Sequence, residues 1–334
     1  MWRIGAIAGL AFWLMNGAFA GPFSPKTMQG AFSEYEVERK LVLPKGWLEV
    51  GLSVDSKRSV TYRGSDGAER EQPNGFAWTH SRLWLDVRQG FSPRVTLYAR
   101  VPWIRSELQP VIGPPTSTIA MGDAHTGVVV QPWVEGPHSV AFSADLKAPS
   151  GVEWPSGTGA AGDTQSFMTG TGITNLGLFG HAKAGFGQAV SLGMDLGYVR
   201  KIPGVVGYVM QVDGFGNGVL NPGDEVRASG HLTGQIGTVL WLRASAAYRH
   251  IGEAWVGVNG PMGPRIMSPI RHSAGDWLDG TFVIGVEPTE RLTIELRASR
   301  DLMGADSRPF AHLGLEEFSP QPGLVLGGGV VARW

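Results

Sequence analysis

The sequence predicts an all-β fold: a transmembrane, antiparallel, up-and-down β-barrel of about 12 strands. Three observations predict it. Apolar residues recur at every second position through a series of segments of about ten residues, the pattern of strands that meet lipid on one face and an interior on the other. The connections between those segments alternate strictly between short and long, as expected of a barrel with tight periplasmic turns and longer extracellular loops. The last segment, Leu324–Trp334, places Leu324, Leu326, Gly328, Val330, Ala332 and Trp334 on one face and ends on an aromatic ring suited to the membrane interface.

The N-terminus reads as an export signal over residues 1–20. Arg3 is a basic start, Ile4–Met15 is an apolar run, and Ala18-Phe19-Ala20 supplies a small-x-small cleavage pattern. That run is shorter than the roughly 18–20 apolar residues a spanning helix needs. Residues 21–45, with Pro22, Pro25 and the charged stretch Glu34–Lys40, form either a periplasmic tail or a plug folded inward. The barrel then occupies 46–334.

Twelve strands are expected, at 46–54, 79–89, 94–102, 121–131, 138–147, 173–184, 188–200, 224–236, 238–250, 276–287, 290–300 and 324–334. Short turns fall at Gly90–Pro93, Pro132–Pro137, Gly185–Gly187, near Gly237 and at Pro288–Thr289. Long connections fall near 55–78, 103–120, 148–172, 201–223, 251–275 and 301–322. The stretch Asp213–Glu225 is rich in oxygen ligands, but its spacing departs from a calcium loop and reads as solvated turn chemistry.

Composition agrees with a barrel. Charged residues are 17%, below the roughly 25% of soluble domains, and Gly is 49 of 334, about twice the usual share. A mean hydropathy of −0.02 is too polar for a helical membrane protein, and no later window reaches the length of a spanning helix. With no Cys, disulfides, Fe–S clusters, thiol catalysis and Cys-type zinc sites are excluded. A net charge of −1 without a basic run excludes nucleic acid as an expected partner. The expected surroundings are outer-membrane lipid, the barrel-assembly machinery and a small-molecule solute, with no cofactor and no metal.

The positions alternating with the apolar stripe should face the lumen. The candidates for lining a solute path are Trp47, Arg82, Trp84, Asp86, Arg88, Arg100, His125, His181, Arg227, His231, Trp241, Arg243 and Trp277. Asp145, Lys147, Lys183, Asp195, Arg249, Asp279, Glu49, Glu295, Arg297 and Arg333 share that face. The inward set holds more basic than acidic side chains, which would either favour anions or fill a narrow barrel with structural ion pairs. The inward Trp residues would either line a path for an apolar or aromatic solute or take up space near the rims. No Gly-x-Ser-x-Gly elbow and no His-Glu-x-x-His occurs, so no catalytic residue is expected. Trp334 is the expected membrane-insertion signal.

Four stretches carry a family resemblance: Leu43-Pro-Lys-Gly-Trp-Leu-Glu-Val-Gly51, the opening hairpin Trp84–Trp103, Met121-Gly-Asp-Ala-His-Thr-Gly127, and Leu146-Lys-Ala-Pro-Ser-Gly151. In these the chain resembles the MetA-pathway of phenol degradation family, transporter-like outer-membrane barrels related to fatty-acid and aromatic-hydrocarbon channels. The resemblance spans roughly 43–334. Its motifs mark strand edges and turns and bring no catalytic group with them. It implies a channel or transporter-like protein for small molecules, hydrophobic or aromatic compounds included. The alternatives are an outer-membrane lipid-modifying enzyme and a closed structural or adhesion barrel.

Overall fold

The computed structural model describes residues 42–64, 66, 68–71, 77–109, 116–151, 171–187, 189–211, 214–260, 263–269, 274–289, 291–304 and 322–334. The expected export signal and residues 21–41 lie outside these. In chain order the strands are β1 (Leu48–Ser59), β2 (Thr61–Arg63), β3 (Glu69–Glu71), β4 (Ala77–Ser92), β5 (Val95–Gln109), β6 (Thr116–Met121), β7 (Ala124–Glu135), β8 (His138–Ala148), β9 (Thr174–Phe186) and β10 (Val190–Ile202). They continue with β11 (Gly204–Gln211), β12 (Gly214–Asn221), β13 (Glu225–Ile236), β14 (Leu240–Ile251), β15 (Trp255–Gly260), β16 (Gly263–Pro269), β17 (Gly275–Thr289), β18 (Leu292–Gly304) and β19 (Leu324–Arg333).

Twelve of these close into an antiparallel barrel in the order β1-β4-β5-β7-β8-β9-β10-β13-β14-β17-β18-β19. The seam is β1 against β19, in register from Glu49↔Arg333 to Lys57↔Val325. It is capped by reciprocal backbone bonds between Leu48 and Trp334 at 3.0 and 2.9 Å. Closure leaves no strand of the ring with an unpaired edge, which is what allows β-structure to cross hydrocarbon.

The alternation resolves as the sequence predicts. On β1, Leu52 and Val54 are exposed while Gly51, Ser53, Asp55 and Lys57 are buried. Leu178, Leu196 and Leu296 expose 66%, 65% and 65% of their surface. Apolar side chains outside and charged ones inside invert the order of a water-soluble protein, and only a lipid surround makes that favourable. The chain is an outer-membrane protein. Gly136, Gly187 and Gly237, with φ of 56°, 68° and 67°, sit in three of the short turns, where a left-handed residue matches the twist of the flanking strands.

Two expectations need correction. The strands continue beyond the bilayer at the end with the long connections, the extracellular end by the usual barrel orientation. There β1 reaches Ser59, β4 begins at Ala77 and β5 reaches Gln109. Much of what reads as loop is strand: β2 and β3 form a hairpin, β6 extends the wall beside β5, and β11-β12-β15-β16 make a separate four-stranded sheet. The ligand-rich stretch read as a turn contains β12. Above the membrane no lipid meets the outer face, so the apolar alternation disappears although the backbone ladder continues. The turn expected at Pro132–Pro137 is shorter than that, because β7 runs on to Glu135 past a register shift between Val130 and Trp133. Pro288 likewise lies in a shift between Val286 and Thr289. Bulges are where a residue without an N–H can stay in a sheet.

Candidate functional site in the barrel lumen

The lumen is best followed from the periplasmic mouth upward. The residues just before β1 turn into that mouth. Val42 packs on the inward-facing Val129 and Ala141, with Tyr98 beside them. The Leu43 N–H donates to Thr96 Oγ1 at 2.6 Å, and Gly46 N–H to the Gly90 carbonyl at 2.8 Å. A Cβ on Gly90 would lie 1.9 Å from the Pro44 carbonyl oxygen, so only glycine lets the segment pass so close to the wall. Of the 21–45 segment, Val42–Lys45 are the described part.

Above it, Glu49 accepts from Arg88 at 3.0 Å on one oxygen and from Arg333 at 2.9 Å on the other. Glu49 thereby links β4, β1 and β19 across the seam. Midway up, Asp55 accepts from Arg82 Nε at 2.8 Å and from the Trp84 indole N–H at 3.2 Å. Arg100 pairs with Asp86 at 2.9 Å and lies 3.9 Å over the Trp84 ring, with the His125 ring edge-on to it at 6.2 Å. A guanidinium stacked this closely contributes about 0.5–2 kcal/mol.

Across β8, β9, β10 and β13 a polar relay runs at one height: Ser143 Oγ to His181 Nε2 at 2.9 Å, His181 Nδ1 to Asp195 at 2.7 Å, and Ser229 Oγ to the other Asp195 oxygen at 2.6 Å. Tyr98 donates to Asp145 nearby. Toward the extracellular end, the fully buried Glu225 is paired with Arg227 at 2.6 Å, Lys201 at 3.4 Å and Arg249 at 3.7 Å. Arg63 and Asp301 close the top at 2.6 Å.

Five of the inward rings share one arrangement. Each lies over a glycine that is its direct partner on the neighbouring strand. Tyr98 faces Gly127, Phe179 faces Gly197, His231 faces Gly193, Trp241 faces Gly285 and Trp277 faces Gly304. A Cβ on Gly197, Gly193 or Gly285 would come within 2.0, 2.1 or 2.0 Å of the ring it carries. Without a Cβ beneath it, the ring can lie against the wall; Tyr98, Phe179 and His231 stay half-buried there, while Trp241 and Trp277 are closed over. Trp78 and Trp84 lack such a glycine. Trp78 is opposite Ser59 and Leu108, and Trp84 is opposite Ser53 and Pro102 and covered by Arg100.

The candidate lining residues therefore fall into separate groups rather than one cluster. Arg82, Trp84, Asp86, Arg100 and His125 come together in mid-lumen. Arg88 belongs to the periplasmic pair with Glu49, and the buried Trp47 lies at that mouth. His181 belongs to the relay, and His231 lies on the adjoining strand. Trp241 and Arg243 are neighbours, at 5.2 Å, and Arg243 donates to Thr233. Arg227 and the buried Trp277 lie toward the extracellular end, Trp277 with Arg249 at 5.8 Å. Trp334 is half-exposed on the lipid side of the seam.

Sequence reasoning missed Asp55, Lys57, Lys201, Glu225 and Asp301, together with Arg63 and Asp123. The signal for most of them was available, because Glu225 lies on the inward parity of its expected strand and extending that parity by one to three residues reaches Asp55, Lys57, Lys201 and Asp301. The four added acids and three added bases narrow the excess of inward bases over acids without removing it, and many of these charges stand in ion pairs.

Asp123 shows what the family-like motifs do. It accepts from the Gly151 N–H at 3.0 Å, the Thr171 N–H and hydroxyl at 2.8 Å each, and Lys147 at 3.3 Å. Ser150 bonds Gly122 and Ala124. The Met121–Gly127 and Leu146–Gly151 stretches are thus stitched together, holding both ends of the 151–171 connection at the lumen wall.

No family model and no curated protein matches the sequence. Solved structures do match in fold. The COG4313 outer membrane channel from Pseudomonas putida F1 superposes with a TM-score of 0.65 over 88% of this chain and 97% of its own, at 11% identity. The Bordetella autotransporter BrkA β domain gives 0.47 at 7% identity, covering 86% and 99%. The TodX monoaromatic hydrocarbon channel, a deltaS2 mutant, gives 0.43 at 13% identity, covering 87% and 90%. At such identities the likeness is one of fold, and the last two scores carry no further argument. The shared feature is the outer-membrane β-barrel fold.

Proposed function

We propose that the barrel is a conduit for small hydrophobic or aromatic molecules, in keeping with the resemblance to the MetA-pathway of phenol degradation family. The observation that carries this is the lumen wall. Many of its charges stand in ion pairs, and the half-buried rings of Tyr98, Phe179 and His231 lie over glycines at the lumen wall. A flat apolar solute meets ring faces against which it can stack, at about 0.5–1.5 kcal/mol per pair beyond the area it buries.

Single-channel recording in planar bilayers tests it. Phenol should interrupt the ionic current in a concentration-dependent way, and a sugar alcohol of similar size should not. Equal block by both, or by neither, would refute the proposal. Replacing Phe179 with Ala should weaken the phenol block several-fold while leaving open conductance the same or higher.

A further inference from the structure

We propose that Ser143, His181 and Asp195 form a nucleophile–base–acid relay that hydrolyses carboxylic esters of slender hydrophobic acids inside the lumen. The conduit reading bears only on the choice of acyl group. Ser143 Oγ lies 2.9 Å from His181 Nε2, and His181 Nδ1 lies 2.7 Å from Asp195. A carboxylate at 195 can only accept, so His181 carries its proton on Nδ1 and presents Nε2 as an acceptor to the Ser143 hydroxyl. That tautomer and orientation are what a serine nucleophile requires.

The relay is held from both ends. Ser229 donates to the second Asp195 oxygen at 2.6 Å, and the Phe179 ring, spread over Gly197, stacks on His181 with centroids 6.4 Å apart. It is also open to the lumen, the side chains of His181 and Asp195 keeping 15% and 33% of their exposure. Local motifs could not reveal the group, because its members lie on different strands.

The surroundings indicate the ester. Ser143 faces Val129 on β7 and Phe179 on β9. Val129 is closed over by Val42 and Ala141, so the half-buried Phe179 ring is the apolar surface left for an acyl chain. The flanking backbone N–H groups are committed to ladders on both sides, so the oxyanion is solvated by lumen water.

The step balances without a cofactor. Ser143 Oγ bonds to the carbonyl carbon as its proton passes to His181 Nε2. The C–O bond to the alcohol breaks, and the leaving oxygen takes that proton. Water then repeats the sequence, releasing the acid and restoring Ser143.

The test uses the full chain folded in detergent and an alkyl fluorophosphonate, so no flux is needed and failure of the conduit reading would not affect it. One adduct is expected, mapped to Ser143, absent from heat-unfolded protein and from Ser143→Ala, and unchanged in the control Ser139→Ala. His181→Gln and Asp195→Asn should each slow labelling about 100-fold or more, the scale of a lost general base or of its orienting acid. p-Nitrophenyl butyrate should be hydrolysed by the native chain and not by Ser143→Ala. The heat-dependent gel shift of folded barrels confirms that each variant is folded. Absence of an adduct at Ser143, or labelling at a rate indifferent to both His181→Gln and Asp195→Asn, overturns the proposal.

Discussion

Replacing Glu49 with Gln should destabilise the barrel at its seam. Glu49 is 1% exposed and Arg333 2%, and the carboxylate receives one arginine on each oxygen, at 3.0 and 2.9 Å. Gln keeps the shape and loses the charge. One amide oxygen still accepts, but the NH2 now confronts the other guanidinium, donor against donor. Removing one member of a buried pair costs about 3–5 kcal/mol because the survivor stays uncompensated. Arg88, with 15% of its side chain exposed, can recover some water, whereas Arg333 cannot. The lower part of that range, about 3 kcal/mol, is expected. With a urea m-value of about 3 kcal/mol/M, the midpoint falls by roughly 1 M.

Urea unfolding of the detergent-folded barrel, followed by Trp fluorescence, measures this. Glu49→Gln combined with Arg333→Gln should recover at least half the loss, since a second amide can accept where the guanidinium could only donate. A single variant within about 0.5 kcal/mol of the native chain, or a double variant whose losses simply add, would refute the reasoning.

Three further outcomes follow from the same geometry. Asp123→Ala removes the acceptor of four bonds and leaves Lys147 buried; amide exchange at Gly151 and Thr171 should quicken by at least tenfold, with the barrel still heat-modifiable on gels. Gly285→Ala puts a methyl 2.0 Å from the Trp241 ring, at a cost of about 1–3 kcal/mol, and should lower single-channel conductance as the ring is driven inward. Leu196→Arg, at the middle of β10 and 65% exposed to lipid, should cost about 2–4 kcal/mol in refolding titrations into liposomes.

How much was legible follows from which solvent each residue meets. Where a strand crosses hydrocarbon, every second residue must be apolar, and the expected segments 138–147, 224–236 and 238–250 lie within two residues of β8, β13 and β14. Where the wall rises above the bilayer that requirement lapses, so β2, β3, β6, β11, β12, β15 and β16 carried no alternation and were read as loop. Facing was legible by the same parity, but pairing was not. Glu49 and Arg333 stand at opposite ends of the chain, and only closure brings them together. The Ser143–His181 bond runs diagonally, since Ser143 is opposite Phe179 and His181 opposite Ala141. Diagonal partners depend on strand twist as well as register, and alternation contains no information about twist.

The glycine–ring pairs were recoverable wherever a short turn joins the two strands. Around the turn at Gly187, Phe186 pairs with Val190, and every later pair steps outward by one residue on each side, which brings Phe179 opposite Gly197. Turn geometry sets the hairpin register, so sequence alone determines that match. Trp241 and Gly285 are joined through a long connection, and no counting from a turn aligns them. Both pairs answer the same steric problem. An indole or phenyl standing perpendicular to the wall of a narrow barrel would project across the passage, and one lying over a Cβ would clash. Glycine opposite the ring removes the clash. A chain of this class therefore accumulates both residue types together, and its high glycine content serves open cross-section as well as turns. Enlarging those glycines should narrow the passage before it unfolds the barrel, because the backbone ladder beneath them is unchanged.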